Sequence, residues 1–490
     1  MNAKTPSRLL LASIGLACAS SALACASSAL AGQSLEQIRY ALYKDPSANV
    51  RDDLRALADR GDLASKLLLG EVLANSDGAS RQEVIGLYKQ AFADGRGQVP
   101  ALASLARLLD RTPSLQKGQH EWMAQALTRY PATLDPRNAS TTLEVFLVYP
   151  QLVSSEQAAQ LLALYQQSCL LNCRPELYQA VLAERQGDRA GAERWYQQAV
   201  RVDVRAIDRY YRFLGDDRDR AFPAFARSLE PLRPTLAVEI VHRIGSLLDS
   251  INSVQRAEQE ADRYERQASA MGPARVQPDA AQLAADKQRS DALDLARAEA
   301  HRWRDNAVER GFVPAMVSKA NFMISNPTEH NAEETQALID QVQAREATRA
   351  KALQASFYMV NNWLTLDPDK ARALIDELLA NRYPDAELLL AEYYSKGVAD
   401  QPDQDQALAI FQAQAQAGST AAWYRMATLH AYGRAICHDP VKAYTYAQVA
   451  LALGENGARS LVKRLEKTLK KDDIVRALAA RNDLLKEATL

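Results

Sequence analysis

Histidines, cysteines and paired carboxylates are the side chains with which this sequence could do acid, base or metal chemistry, and their spacing supports little of it. Six histidines occur, at 120, 242, 301, 330, 430 and 438. His430 and His438 are the nearest pair, but Gly433 falls between them and His430 continues a stripe of core residues, so packing accounts for it better than ligation. Beyond residue 31 the cysteines are Cys169, Cys173 and Cys437. Cys169 and Cys173, separated by Leu170-Leu171-Asn172, fit either a short local disulfide in an oxidising compartment or two small apolar core residues. A zinc site would need further His or Cys at ligand spacing, and none is near. The sequence contains no G-x-S-x-G, H-E-x-x-H, P-loop or glycine-rich dinucleotide fingerprint. Its 60 acidic residues read as solvated helix faces rather than as a general acid and base. The expectation is no catalytic residue, no cofactor and no metal.

A second kind of chemistry is recognition. Trp423, Tyr424, Tyr432, Arg434 and Tyr444 crowd one stretch near the C-terminus. Most of these rings belong to the core of a helical hairpin. Any that face outward would be rigid anchors beside a cation, the composition of a protein interface, and would also suit stacking on sugar rings. The expected docking face is the pair of units 386–418 and 422–454.

Elements must position these residues, and size narrows the options. A chain of 490 residues exceeds what one hydrophobic core supports, roughly 250–300 residues, so several domains or a repeat array must follow. Hydrophobic residues at 47% and charged residues at 24% exclude wholesale disorder. The 59 basic and 60 acidic side chains nearly cancel, which disfavours a nucleic-acid partner.

Self-similarity decides between domains and repeats. Ala350, Ala386 and Ala422 are spaced by 36 residues, and so are Ala371, Ala407 and Ala443. Ala355, Ala391 and Ala427 follow the same period, as do Tyr358, Tyr394 and His430, the turn residues Asn361, Gly397 and Gly433, and the pair Gly418 and Gly454. Within one unit, Ala386, Leu390, Ala391 and Tyr394 make one helical stripe, and Gly397 stops it. A connector runs to Asp405, and Ala407, Phe411 and Ala415 make a second stripe. Alanine recurs where two helix backbones approach closely, and a lone hairpin cannot bury its apolar face, so neighbours must stack. Weaker units stand at 177–199 and at 64–106, so the array begins near the start of the mature chain. Residues 253–300 break the rhythm with Glu, Asp, Arg, Gln and Ala, and fit either two solvated helices or a hinge between blocks.

The first 31 residues read as an export signal. Lys4 and Arg8 precede the apolar run Leu9 to Leu16, which is too short to span a bilayer. A perfect seven-residue duplication follows, Cys18 to Ala24 and Cys25 to Ala31, each copy ending in Ala-x-Ala. Two readings stand: cleavage after Ala31, or a lipid-carrying Cys18 or Cys25, with Leu16 and Leu23 one position late for a regular lipoprotein signal.

The unit from Ala422 to Gly454, with Asp439-Pro440-Val441-Lys442-Ala443-Tyr444 opening its second helix, resembles the Sel1-like branch of the tetratricopeptide repeat family. Over about the final hundred residues the chain is similar to the AlgK-type alginate-biosynthesis periplasmic lipoproteins, with the imperfect lipid motif and the 253–300 segment as departures. That resemblance implies a right-handed α-solenoid of stacked helical hairpins. It implies a non-catalytic scaffold in the periplasm, at the inner leaflet of the outer membrane, joining a polysaccharide-export β-barrel to polymer-modifying proteins. Membrane contact would run through the lipid anchor. The alternative is a Sel1-repeat assembly factor or regulator of another envelope complex. The expected organisation is an export signal (1–31), tetratricopeptide-like repeats (32–252), the charged insertion (253–300), Sel1-like repeats (301–460) and capping helices (461–490).

Overall fold

The computed structural model describes residues 33–489 apart from 47, 76–80, 95–98, 130–135, 170–172, 272–278, 400 and 433–437. The expected export signal with Cys18 and Cys25, and likewise Gly433, Arg434 and Cys437, lie outside the described residues. Among those described, the chain forms twenty-four α-helices, three short 3-10 turns and no strand. The fold is all-α.

Successive helices pair into hairpins, such as Glu176–Arg185 with Arg189–Ala199, Ala386–Lys396 with Gln404–Gln416, and Thr420–Tyr432 with Pro440–Ala452. Each hairpin also packs on the next, and this is an α-solenoid. In the C-terminal third the second helices start at Pro368, Gln404 and Pro440 and end at Ala380, Gln416 and Ala452, so both boundaries recur every 36 residues.

Three aspartates at the same spacing are the local cause. Asp367, Asp403 and Asp439 are N-caps whose carboxylates accept from the backbone N–H groups of Lys370, Gln406 and Lys442. Their own N–H groups donate back to the carbonyls of Tyr358, Tyr394 and His430 at 3.0, 3.0 and 3.1 Å. One residue type therefore starts the second helix, a contribution of about 1 kcal/mol, and ties it to the first. Asp403 holds this place, two residues before the connector end expected from sequence, and Asp405 falls in the first helical turn.

The alanine rows behave as their size requires. Ala371, Ala407, Ala443, Ala355, Ala391 and Ala427 are fully buried, and the row through Ala422 extends one unit further, to Ala458. A larger side chain at these crossings would push the helix axes apart.

The segment that breaks the rhythm is wider than 253–300. It belongs to a long antiparallel pair, Val238–Met271 and Ala280–Glu309. Ile244, Leu248, Ile251 and Val254 are buried on its inner face, and Trp303 is fully buried. Gly245 permits the close crossing, because a Cβ there would lie 3.0 Å from Trp303 Cβ and 3.1 Å from the Arg304 nitrogen.

The array also turns back on itself. Ala458–Thr468 packs on Val238–Met271, with Arg459 donating to Tyr211 Oη at 2.6 Å. At the other end, Asn49 Nδ2 donates to the Asn381 carbonyl at 2.7 Å and Arg382 pairs with Asp52 at 2.6 Å, so residues more than 300 positions apart meet. Arg382 occupies the position filled by Gly418 and Gly454 in the next two units, and it shares their positive φ, at 51°.

This sets up a prediction. A non-glycine residue in the left-handed region costs roughly 1–2 kcal/mol, the exposed ion pair returns about 0–1, and glycine loses roughly 0.5–1 in chain entropy. Arg382→Gly is therefore expected to change the urea midpoint by less than about 1 kcal/mol while the Asp52 contact disappears. A loss of several kcal/mol would show that the contact between the ends is structural.

Candidate functional site

The meeting of the two ends leaves a half-open cavity of about 2340 Å³, lined by residues from 45–111 on one side and 317–432 on the other. Pockets for small molecules run roughly 300–1,000 Å³, so this space suits a segment of a polymer better than a metabolite.

Its walls are rich in cations. Arg51, Arg81 and Arg111 come from the N-terminal side and Arg349, Lys351, Arg382, Lys396 and Arg425 from the C-terminal side. The lining carboxylates are Asp45, Glu71, Asp385 and Glu392, half as many. Several cations are held from behind, by acids that are not part of the lining: Asp52 pairs with Arg382, Glu377 with Lys351, and Glu346 with Arg349. Glu392 serves two cations, Arg425 at 2.5 Å and Lys396 at 3.6 Å. Burial pushes its carboxyl up, but Arg425 and Lys396 pull harder and hold it below the usual range.

On the opposite wall Arg111 donates to Asn75, a neutral partner, at 2.8 Å. Burial lowers the pKa of Arg51 against the pull of Asp385. Its buried Nη2 has no hydrogen-bond partner among the described residues. Asparagines 49, 75, 321, 361, 362 and 381 add neutral donors and acceptors. The apolar lining includes Leu353, Met359, Leu378, Leu389 and Phe411, all buried, so these form the floor and the polar groups project.

The aromatic cluster singled out from sequence is dispersed by the fold. Trp423 is buried with its ring 5.7 Å from Tyr446. Tyr444 is buried, donating to Glu466 at 3.2 Å and accepting from Gln448 at 2.8 Å. Tyr424 is half-buried, and burial raises its hydroxyl pKa. Tyr432 alone of the four described residues is exposed, at 57%; it lines the cavity and accepts a hydrogen bond from Arg464, whose guanidinium lies 4.8 Å from the ring centroid. The four do not share one outward face.

Cys169 and Cys173 are joined by a disulfide across a Cα separation of 5.7 Å. His430 is buried beside Tyr446, and burial lowers its pKa. Among the described residues no group of three or more His, Cys, Asp or Glu could hold a metal ion, and no helix is long and apolar enough to cross a membrane. The cavity itself had no sequence signal. Its cations arrive one or two per helix, and only the closure of the array gathers them.

No protein-family model matches the chain, and no curated relative matches it. Several solved structures are similar, two of them by name. One is a protective antigen of uropathogenic Escherichia coli with an SLR fold, at 16% identity and a TM-score of 0.25, covering 90% of this chain and 95% of that one. The other is a Sel1 repeat protein from Oxalobacter formigenes, at 17% identity and a TM-score of 0.24, covering 84% and 89%. The hairpin architecture stands on the contacts described above.

Proposed function

We propose that this chain is a non-catalytic periplasmic scaffold of Sel1-like repeats that assembles an alginate biosynthesis and export complex at the outer membrane. In this reading it joins an export β-barrel to polymer-modifying proteins and is anchored by a lipid at Cys18 or Cys25. The observation that carries the proposal is the unit 422–454. The residues that resemble the alginate-biosynthesis proteins are the ones that build its Asp439-capped, alanine-crossed hairpin. Stacked hairpins give a long surface on which several partners can be held at fixed separations.

The test is retention of partners from envelope extracts by the tagged full-length chain. An outer-membrane barrel and a polymer-modifying enzyme are the expected catch, and recovery of a different envelope complex would make the chain an assembly factor for that complex instead. Deleting the gene is expected to abolish or misroute the secreted polymer while precursor sugar-nucleotide pools stay normal. Depleted pools would place the protein upstream and end the scaffold reading.

A further inference from the structure

We propose that the cavity between the two ends of the array is a binding site for an extended anionic saccharide, a chain of hydroxylated sugar units bearing carboxylates. The polymer's identity rests on the function proposed above. The chemistry rests on the cavity wall.

Charge is the first argument. Eight cations line the space against four carboxylates, and three of the acids that orient the cations stand outside it. A ligand in the cavity meets twice as many cationic as anionic side chains. Arginine forks match carboxylates in two-pronged geometry, and such charge-assisted bonds are roughly twice as strong as neutral ones.

The neutral groups separate a saccharide from an acidic polypeptide. Asparagine amides, with both donors and acceptors, suit hydroxyl groups, and they come from both sides of the space, Asn75 on one and Asn321, Asn361 and Asn362 on the other. Tight peptide recognition uses apolar and aromatic anchors set in pockets. Here the lining Leu353, Leu378 and Phe411 are already buried in the protein's own core, and the half-buried Leu68, Val72, Val317, Tyr383 and Leu429 are outnumbered by the charged and asparagine side chains. Tyr432, exposed on the same wall, has the amphipathic ring that lies well against a sugar. The volume is several times that of a small-ligand pocket, so the ligand is a run of residues rather than a monosaccharide.

The experiment titrates the full-length mature chain into a fluorescently labelled polyuronate oligomer and follows anisotropy. A neutral oligosaccharide of equal length and a polyglutamate peptide run alongside. The uronate is expected to bind, the neutral sugar not to, and binding is expected to weaken steeply between about 0.05 and 0.5 M salt because the contacts are screened. The variant Arg111→Ala/Arg382→Ala/Lys396→Ala removes cations from both walls but leaves Arg425 on Glu392, so no buried carboxylate is stranded. It is expected to lose at least about tenfold in affinity with circular dichroism unchanged, whereas Arg111→Lys/Arg382→Lys, which keeps the charge and loses the fork, should fall between that variant and the wild type. If the triple variant melts early, its three single substitutions carry the same test.

Absence of uronate binding, or affinity unchanged in the triple variant, overturns the proposal. Polyglutamate bound as tightly as the uronate overturns it in favour of an acidic polypeptide. The scaffold reading fails separately, because partner retention is measured without polymer. Partners retained by a chain that binds no uronate would sink only the cavity proposal, and uronate bound by a chain that retains no partner would sink only the scaffold.

Discussion

Replacing Arg205 with methionine is expected to destabilise the N-terminal half by about 3–5 kcal/mol, the cost of stranding buried charges. Arg205 is the hub of a network joining three helices. Its Nε and Nη2 donate to Asp203 Oδ2 at 3.2 and 2.7 Å, and its Nη1 donates to both oxygens of Glu144 at 2.8 and 2.7 Å. Glu144 also accepts from the Tyr178 hydroxyl at 2.9 Å. The Asp203 side chain is only 3% exposed and that of Glu144 13%, so water cannot replace the lost donors. Burial alone would lower the arginine's pKa, but Asp203 and Glu144 outweigh it and hold it above the usual value. Tyr178 reports the same surroundings from the other side, its hydroxyl pushed well up by burial and then by Glu144.

Methionine fills the space but leaves two carboxylates facing each other without a cation. Lysine keeps the charge and loses the fork, so Arg205→Lys should fall between the two. Removing the exposed Arg220, 84% exposed and paired with Asp217, should cost about 0–1 kcal/mol. A chain of this length need not unfold in one step, so the measurement is hydrogen exchange on Pro136–Val148 and Arg205–Phe213 rather than a single melting curve. Protection there reduced by less than about 1 kcal/mol in Arg205→Met would mean that the network contributes little.

What could be read in advance follows from the range over which each signal acts. Hairpins are local, and alanine at a helix crossing is a requirement written every 36 residues, so Ala371, Ala407 and Ala443 announced them. The row of aspartates at 367, 403 and 439 was equally available, and Asp405 obscured it because either aspartate begins a plausible first turn. The long pair 238–309 was harder. Its outer faces are charged enough to mask the inner stripe through Ile244, Leu248 and Ile251. Nothing in the sequence links Asp52 with Arg382, because a contact across 330 positions depends on the summed curvature of every hairpin between them. The cavity depends on that closure. The aromatic cluster failed as a shared outward face for a related reason: Trp423 and Tyr444 point along the hairpin's own seam, a direction that composition does not record.

Acid is expected to loosen the junction between the long helical pair and the C-terminal repeats, and His301 is the group that makes it do so. Its ring lies 5.0 Å from Phe322, with the guanidinium of Arg304 4.8 Å and that of Arg297 5.7 Å from the same phenyl ring and His330 5.4 Å away on it. Burial, then Arg304 and Arg297, pull the imidazole down to about 4, with Asp305 opposing and His330 adding to the fall. Nε2 is 4.0 Å from Asp249, beyond hydrogen-bond range, so the neutral ring and the carboxylate do not form an ion pair.

In the unfolded chain the same histidine titrates near 6.5. Between that value and about 4 the unfolded state binds a proton that the folded state refuses, so stability is intact above pH 6.5 and falls as the pH falls through this window. The full shift is worth about 3 kcal/mol, of which about 2 is lost by pH 5. His242 and His430, both lowered by burial, act in the same direction. Asp249 acts in the opposite one, since burial raises its carboxyl and protonation then favours the folded state. His301→Gln removes the titrating group and keeps a polar side chain of similar length. The urea midpoint of the wild-type chain is expected to drop between pH 7.5 and 5 by an amount the variant shows only in part, and superimposable pH profiles for the two proteins would remove His301 as the cause.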